Sequence, residues 1–115
     1  MVRIEYTTGN VYEGEVDNAN EPHGKGKLTQ ANKDVYEGDF VKGELHGKGK
    51  LTKADGDVYD GDFVEGKAHG KGKLTYANKA LYEGDFVKGV RHGKGKLTEA
   101  DGDVYDGDFI NGKLH

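Results

Sequence analysis

The phrase Tyr36-Glu37-Gly38-Asp39-Phe40-Val41-Lys42-Gly43 runs on to His46-Gly47-Lys48-Gly49-Lys50-Leu51-Thr52, and it returns from Tyr59, Tyr82 and Tyr105. Each return comes 23 residues after the last, and His23, His46, His69, His92 and His115 keep the same step. A fixed period of this length means a stacked array in which each unit touches mainly its neighbours. Such an array offers a surface for holding something rather than one catalytic pocket.

The 115 residues form one domain on this reading, 1–115, with units at about 1–30, 31–53, 54–76, 77–99 and an incomplete 100–115. Hydrophobic residues make up 33% and Gly supplies 20 positions, so much of the chain has no side chain to bury and a thick core is not expected. Cys and Trp are absent, and so is Ser, which leaves no disulfide framework and no Cys-based zinc site. No signal peptide and no membrane-length apolar run stand out, and a cytoplasmic home is the expectation. The net charge of −4 argues against nucleic acid as a partner and against strong attraction to anionic lipid.

Glycine every few residues argues against helix, at about 1 kcal/mol for each interior Gly. Alternation with period two predicts strands. The expected fold is all-β: an elongated single-layer antiparallel sheet of consecutive hairpins, one per 23-residue unit. A four-residue loop, Lys42-Gly43-Glu44-Leu45, sets Val41 opposite His46, Phe40 opposite Gly47, Asp39 opposite Lys48, Glu37 opposite Lys50 and Tyr36 opposite Leu51. A three-residue loop, Ala54-Asp55-Gly56, sets Leu51 opposite Tyr59, Lys50 opposite Asp60, Lys48 opposite Asp62 and Gly47 opposite Phe63. Both turns then agree on one sheet, with Phe/Gly, Gly and Tyr/Leu rows on one face and alternating acid and Lys on the other.

The units differ in places. Ala31 and Ala77 open Ala-Asn-Lys turns, whereas Ala54 and Ala100 open Ala-Asp-Gly turns, a doublet of 46 residues. The first unit has Val16 in place of Phe and a tip loop, Asp17 to Pro22, one residue longer. Val2-Arg3-Ile4-Glu5-Tyr6 takes the place of Gly26 to Gln30, and the last half-unit lacks its partner strand. Bare strand edges recruit other chains, so head-to-tail or edge-to-edge association is one expectation, and a cut chain end or simple fraying is the equal alternative.

Tyr-Glu-Gly-Asp-Phe-x-x-Gly-x-x-His-Gly-Lys-Gly followed by Ala-Asp-Gly resembles the MORN (membrane occupation and recognition nexus) repeat, from about Ile4 to His115. The resemblance implies hairpins stacked into a twisted or curved sheet. It also implies scaffolding, partner binding, dimerisation and lipid association. MORN arrays occur in junctophilins, plant phosphatidylinositol-phosphate kinases, a histone methyltransferase and parasite cytoskeletal scaffolds, with any enzyme activity in other domains.

The aromatic face is the candidate partner-binding surface: Tyr12, Tyr36, Phe40, Tyr59, Phe63, Tyr82, Phe86, Tyr105 and Phe109. Packing within the sheet explains most of the pattern, and partner binding is the expected addition, since contiguous apolar rows mark interaction surfaces. A protein, a peptide or a second copy of the chain is the expected partner. The alternative is a peripheral phosphoinositide-binding module using Lys25, Lys48, Lys71 and Lys94. A third reading, from the near-identity of the units, is a designed or truncated array with no partner of its own. Repeat-related histidines lie roughly 10 Å apart by strand spacing, too far to share a metal. Asp101 to Asp108 lacks the EF-hand pattern, and Gly47-Lys48-Gly49-Lys50 lacks the phosphate-loop pattern. No metal, cofactor or nucleophile constellation emerges, so no enzyme is expected.

Overall fold

The computed structural model of the chain describes residues 1–114. Eleven strands form one open antiparallel sheet in strict chain order. They are β1 (Val2–Glu5), β2 (Val11–Val16), β3 (Pro22–Thr29), β4 (Val35–Val41), β5 (Glu44–Thr52), β6 (Val58–Val64), β7 (Lys67–Thr75), β8 (Leu81–Val87), β9 (Val90–Thr98), β10 (Val104–Ile110) and β11 (Lys113–Leu114). His115 lies outside the described residues. Ten inter-strand steps give a length of about 48 Å at ~4.8 Å each, and the long dimension is 47 Å.

The three-residue loop forms as the sequence predicts. Lys53 and Asp57 close it, with the Lys53 N–H donating to the Asp57 carbonyl at 2.8 Å, and Gly56 takes φ +104°. Leu51 faces Tyr59, Lys50 faces Asp60, Lys48 faces Asp62 and Gly47 faces Phe63. The first strand also sits where expected, with Val2 opposite Gly14 and Ile4 opposite Tyr12.

The hairpin tip differs from the sequence expectation. Its loop has two residues, Lys42 and Gly43, with φ of 49° and 84°. Positive φ at both central positions is the type I′ turn, whose twist matches that of the strands it joins. Val41 therefore faces Glu44, not His46, and Phe40 faces Leu45, not Gly47. Tyr36–Leu51, Glu37–Lys50 and Gly38–Gly49 keep the expected register. The two-residue difference is absorbed in a bulge. Between the Gly38–Gly49 and Phe40–Leu45 pairs, Asp39 alone stands against His46, Gly47 and Lys48. Asp39 consequently has no ladder pairing with Lys48. The same shift recurs in β2–β3, β6–β7 and β8–β9. In the first unit the tip loop is Asn18-Ala19-Asn20, closed by Asp17 and Glu21, one residue longer than the others.

Bulges bend strands. A nine-residue strand such as β5 would extend about 30 Å at ~3.3 Å per residue, yet the two shorter dimensions of the molecule are 23 and 19 Å. The hairpins are therefore folded across their width. The sheet becomes a trough, with the aromatic rows inside it and the acid and lysine rows outside.

Candidate interaction surface

The bulge sets the chemistry of the trough. At the bulge Asp39 drops out of the β4–β5 ladder, which frees its carbonyl. The Tyr36 hydroxyl reaches along its own strand and donates to that carbonyl at 2.8 Å. Tyr12, Tyr59 and Tyr82 do the same to the carbonyls of Glu15, Asp62 and Asp85, at 2.5, 2.8 and 2.9 Å. The acidic side chain closes the bulge from the other face: Asp39 Oδ2 accepts the Lys48 N–H at 3.3 Å, and Glu15 Oε1 accepts the Lys25 N–H at 2.7 Å. The Tyr-x-Gly-Asp-Phe phrase is thus a bulge-closing device. Its tyrosine works inside the trough and its acid outside.

To reach that carbonyl the ring must lie flat on the sheet. A Cβ on Gly49 would come 2.2 Å from the Tyr36 hydroxyl oxygen, and one on Gly72 would come 2.3 Å from that of Tyr59. The glycine column is the space the rings occupy. Phe40, Phe63 and Phe86 then each stand between two tyrosines, and Phe109 packs on Tyr82 alone. The order Tyr12, Phe40, Tyr36, Phe63, Tyr59, Phe86, Tyr82, Phe109 is continuous, with centroids 5.0–5.1 Å apart and planes at 82–88°. Edge-to-face pairs of this kind contribute about 0.5–1.5 kcal/mol each beyond area burial. These eight nominated rings are at most 5% exposed, whereas the ninth, Tyr105, is 41% exposed and stands outside the ladder. Burial, with the neighbouring Asp39 or Asp62 charge second, pushes the Tyr36 and Tyr59 phenols up to about 12. Tyr12 and Tyr82 are raised for the same first reason.

Intra-sheet packing therefore occupies the rings, and what the trough presents above them is its walls. Leu28, Leu51, Leu74 and Leu97 are half-buried along one side, with Leu45, Ala68 and Arg91 along the other. One hollow of about 260 Å³ lies between Leu51, Leu74 and Ala68 over Phe63 and Phe86. Another of about 470 Å³ lies near Tyr6, Leu28 and Phe40. The walls were not singled out from sequence. Arg91 in particular replaces the Leu45 or Ala68 of other units. Its guanidinium lies 5.6 Å from the Tyr82 centroid and 5.3 Å from that of Phe109, and it donates to the Gly112 carbonyl at 2.6 Å. The available signal was that this position varies within an otherwise repeated phrase.

Outside the trough, the nominated lysines each meet an aspartate on the following hairpin. Lys25 pairs with Asp39 and Lys48 with Asp62, while Lys71 pairs with Asp85 at 2.5 Å and Lys94 with Asp108 at 3.0 Å. The Lys25 ammonium, then the Lys48 N–H, hold the Asp39 carboxyl below the usual carboxylate range. These cations are exposed, and each is neutralised by its neighbour. Two of the histidines serve the backbone: His23 Nδ1 accepts the Lys42 N–H at 3.4 Å and His69 Nδ1 accepts the Lys88 N–H at 3.2 Å. No group of three metal-ligating side chains occurs among the described residues.

A curved, single-layer array of similar hairpins, bulged in four of them, is a repeat module with a concave apolar side and a convex ionic one. The MORN-repeat family model matches five consecutive stretches, residues 12–35, 36–58, 59–80, 82–104 and 105–115, and the chain belongs to that family. MORN repeats generally interact with proteins or membranes and are generally non-enzymatic. Comparison with curated proteins gives no match.

Proposed function

We propose that the chain is a non-enzymatic, cytoplasmic scaffold that holds a protein or peptide along its trough. The observation that carries this reading is the pairing of a locked floor with open walls. The Tyr and Phe rings are fixed by hydrogen bonds and mutual packing, so they form a preorganised base that loses little entropy on binding. The leucines above them remain half-exposed in a contiguous row, the kind of surface that marks a contact site. A second copy offering the same face is the other form of this reading. The lysine–aspartate pairing outside gives the phosphoinositide alternative less support, because each cation already has its anion.

Replacing floor rings would unfold the site, so the informative variant is on the walls. A Leu51→Gln/Leu74→Gln chain with unchanged circular dichroism is expected to lose the cross-linked partner or second copy that the wild type retains. Equal recovery by both chains overturns the trough reading. Salt-sensitive pelleting with phosphoinositide vesicles, undiminished in the wall variant, favours the lipid alternative instead.

A further inference from the structure

The trough is not uniform along its length. Its tip wall carries Leu45, Ala68 and Arg91 at repeat-equivalent places, opposite Phe40, Phe63 and Phe86. The small Ala68 leaves the hollow of about 260 Å³ over Phe63 and Phe86, flanked by Leu51 and Leu74. Pockets that enclose a small molecule run to roughly 300–1,000 Å³, so this one suits a single large apolar side chain. Lys53 and Lys67 stand at its rim, and the one acid there, Asp57, is engaged with the Ala77 N–H at 2.8 Å.

One unit further along the same wall, the half-buried Arg91 turns its guanidinium inward over the Tyr82 and Phe109 rings and gives one hydrogen bond to the Gly112 carbonyl. It takes part in no ion pair among the described residues. A guanidinium carries five donors in a planar fork that matches a carboxylate, so most of its capacity is left for a ligand. Tyr76 packs on the ring cluster from the loop wall, and its phenol, raised by burial, is drawn back by the Arg91 charge, so that charge faces into the trough. The chain as a whole carries a net charge of −4, yet this stretch of its concave side is cationic. Glu99, at the next loop-wall place, comes one unit later.

We propose that this stretch of the trough selects an extended, acidic segment of a second protein, in which a large apolar side chain enters the hollow beside Ala68 and an Asp or Glu takes the Arg91 fork. The sheet sets the spacing between the two anchors. Repeat-equivalent places are two strands apart, about 10 Å at ~4.8 Å per strand, and an extended chain covers that in about three residues at ~3.3 Å each. Lys53 and Lys67 add a field that favours an acidic segment over a basic one, which acts on specificity and encounter more than on affinity. This selectivity rests on the trough being the binding face, the reading proposed for the function of the protein.

The test is selection of a random-peptide phage library on the immobilised chain, followed by titration of the selected peptide. Enrichment of a large apolar residue with Asp or Glu about three places away is expected. Ala68→Leu fills the hollow with the residue that Leu45 already supplies at the equivalent place, so the fold is expected to hold. Arg91→Glu reverses the charge. Each should weaken the selected peptide by about tenfold or more, as for the central anchors of an interface. A peptide with Lys in place of the acid should bind Arg91→Glu better than wild type, a reversal that loss of folding cannot produce. Selected peptides without the acid, or equal binding by Arg91→Glu, overturn the proposal, and the trough reading survives if Leu51→Gln/Leu74→Gln still abolishes binding. Binding undiminished in Leu51→Gln/Leu74→Gln, or no selected peptide at all, overturns both. Self-association of the chain that is lost in Ala68→Leu and blocks the peptide would seat a second copy there and overturn the acidic segment.

Discussion

The two walls of the trough are stacked by different chemistry. At the hairpin tips, main chain bonds to main chain: the N–H groups of Gly43, Gly66, Gly89 and Gly112 donate to the carbonyls of Pro22, Leu45, Ala68 and Arg91 at 2.8–2.9 Å. At the three-residue loops a side chain is required. Asn10, Asp34 and Asp57 accept the N–H groups of Ala31, Ala54 and Ala77 at 2.8–2.9 Å. The next position in that series is Ala80, which has no acceptor to offer Ala100. The tip wall can therefore carry Pro, Leu, Ala or Arg without losing its link, and its side chains are free to set the chemistry of the trough. The loop wall holds only where an acceptor is present, and it is interrupted between the fourth and fifth units.

Both walls stand on the ring floor, so the severest way to break the comparison is to disturb what they share. Gly72→Ala places a Cβ 2.3 Å from the Tyr59 hydroxyl with no backbone strain to confuse the result, since Gly72 has no positive φ. The ring must leave its bed, which costs about 3–5 kcal/mol, as for truncation of a buried aromatic. Gly107→Ala, with nothing near its Cβ, is the control and should be close to neutral. Chemical denaturation followed by tyrosine fluorescence checks both. A Gly72→Ala chain as stable as Gly107→Ala would show that the floor does not need the glycine column.

Alkaline titration acts on the floor and spares the walls. The buried phenols of Tyr36 and Tyr59 ionise at about 12, against an unperturbed value of 10. The folded-state value is the higher one, so the stabilisation is complete below pH 10 and is lost as pH rises from 10 to 12. The melting temperature should hold steady to about pH 10 and then fall, with phenolate absorbance appearing together with unfolding. Tyrosinate absorbance that rises near pH 10 with the fold intact would contradict ring burial.

How much of this was legible follows from a parity argument. Side chains alternate faces with period two, so Tyr36, Gly38 and Phe40 declare their common face, as do Glu37 and Asp39. A register shift of one residue was therefore excluded by the pattern. A shift of two was invisible, because it leaves every side chain on the same face, and the tip register was misjudged by that amount. The missing signal was at Asn111-Gly112, the dipeptide most strongly associated with the two-residue type I′ hairpin. Of the site, the ring rows and their glycine bed were legible. Their packing within the sheet was legible as well, but not its completeness, because a single flat sheet has nothing to cover one face. It is the bulge at Gly47, φ +83°, that bends the hairpins until the rings cover one another. The roles of Leu51, Leu74 and Arg91 were hidden because a wall exists only once the sheet is bent.

The comparison of the walls is sharpened by exchanging the residues that distinguish them. Asp57→Ala should remove the acceptor for Ala77 and destabilise that junction by about 1.5–3 kcal/mol, the range for a hydrogen bond to a charged group. Ala80→Asp should supply the missing acceptor to Ala100 and stabilise the fourth junction by about 1 kcal/mol. Because each unit contacts mainly its neighbours, the effect should be local. Hydrogen exchange resolved by residue should show protection lost near Ala77 in the first variant and gained near Ala100 in the second. A uniform change along the chain in either variant would mean that the loops are not linked pairwise.

The smallest effect separates the loops within one wall. Gly9, Gly56 and Gly102 take φ of 96–104° in three of them, while Lys33 and Lys79 hold the same place at 82° and 77°. A left-handed conformation costs a side-chain-bearing residue about 1–2 kcal/mol. Replacing Lys33 by Gly relieves that strain but gives the unfolded chain more freedom, worth about 0.5–1 kcal/mol in the opposite direction. The net gain for Lys33→Gly should be about 0.5 kcal/mol, and the same for Lys79→Gly. The two sites are two repeat units apart and share no contact, so the double variant should gain about 1 kcal/mol by simple addition. The cost of Lys at these places is thus small, and the alternation of Lys with Gly can persist along the loop wall at little expense to stability. Urea midpoints for the two single variants and the double variant decide this. A double variant less stable than wild type would mean that these lysines hold their loops by contacts that outweigh the backbone strain.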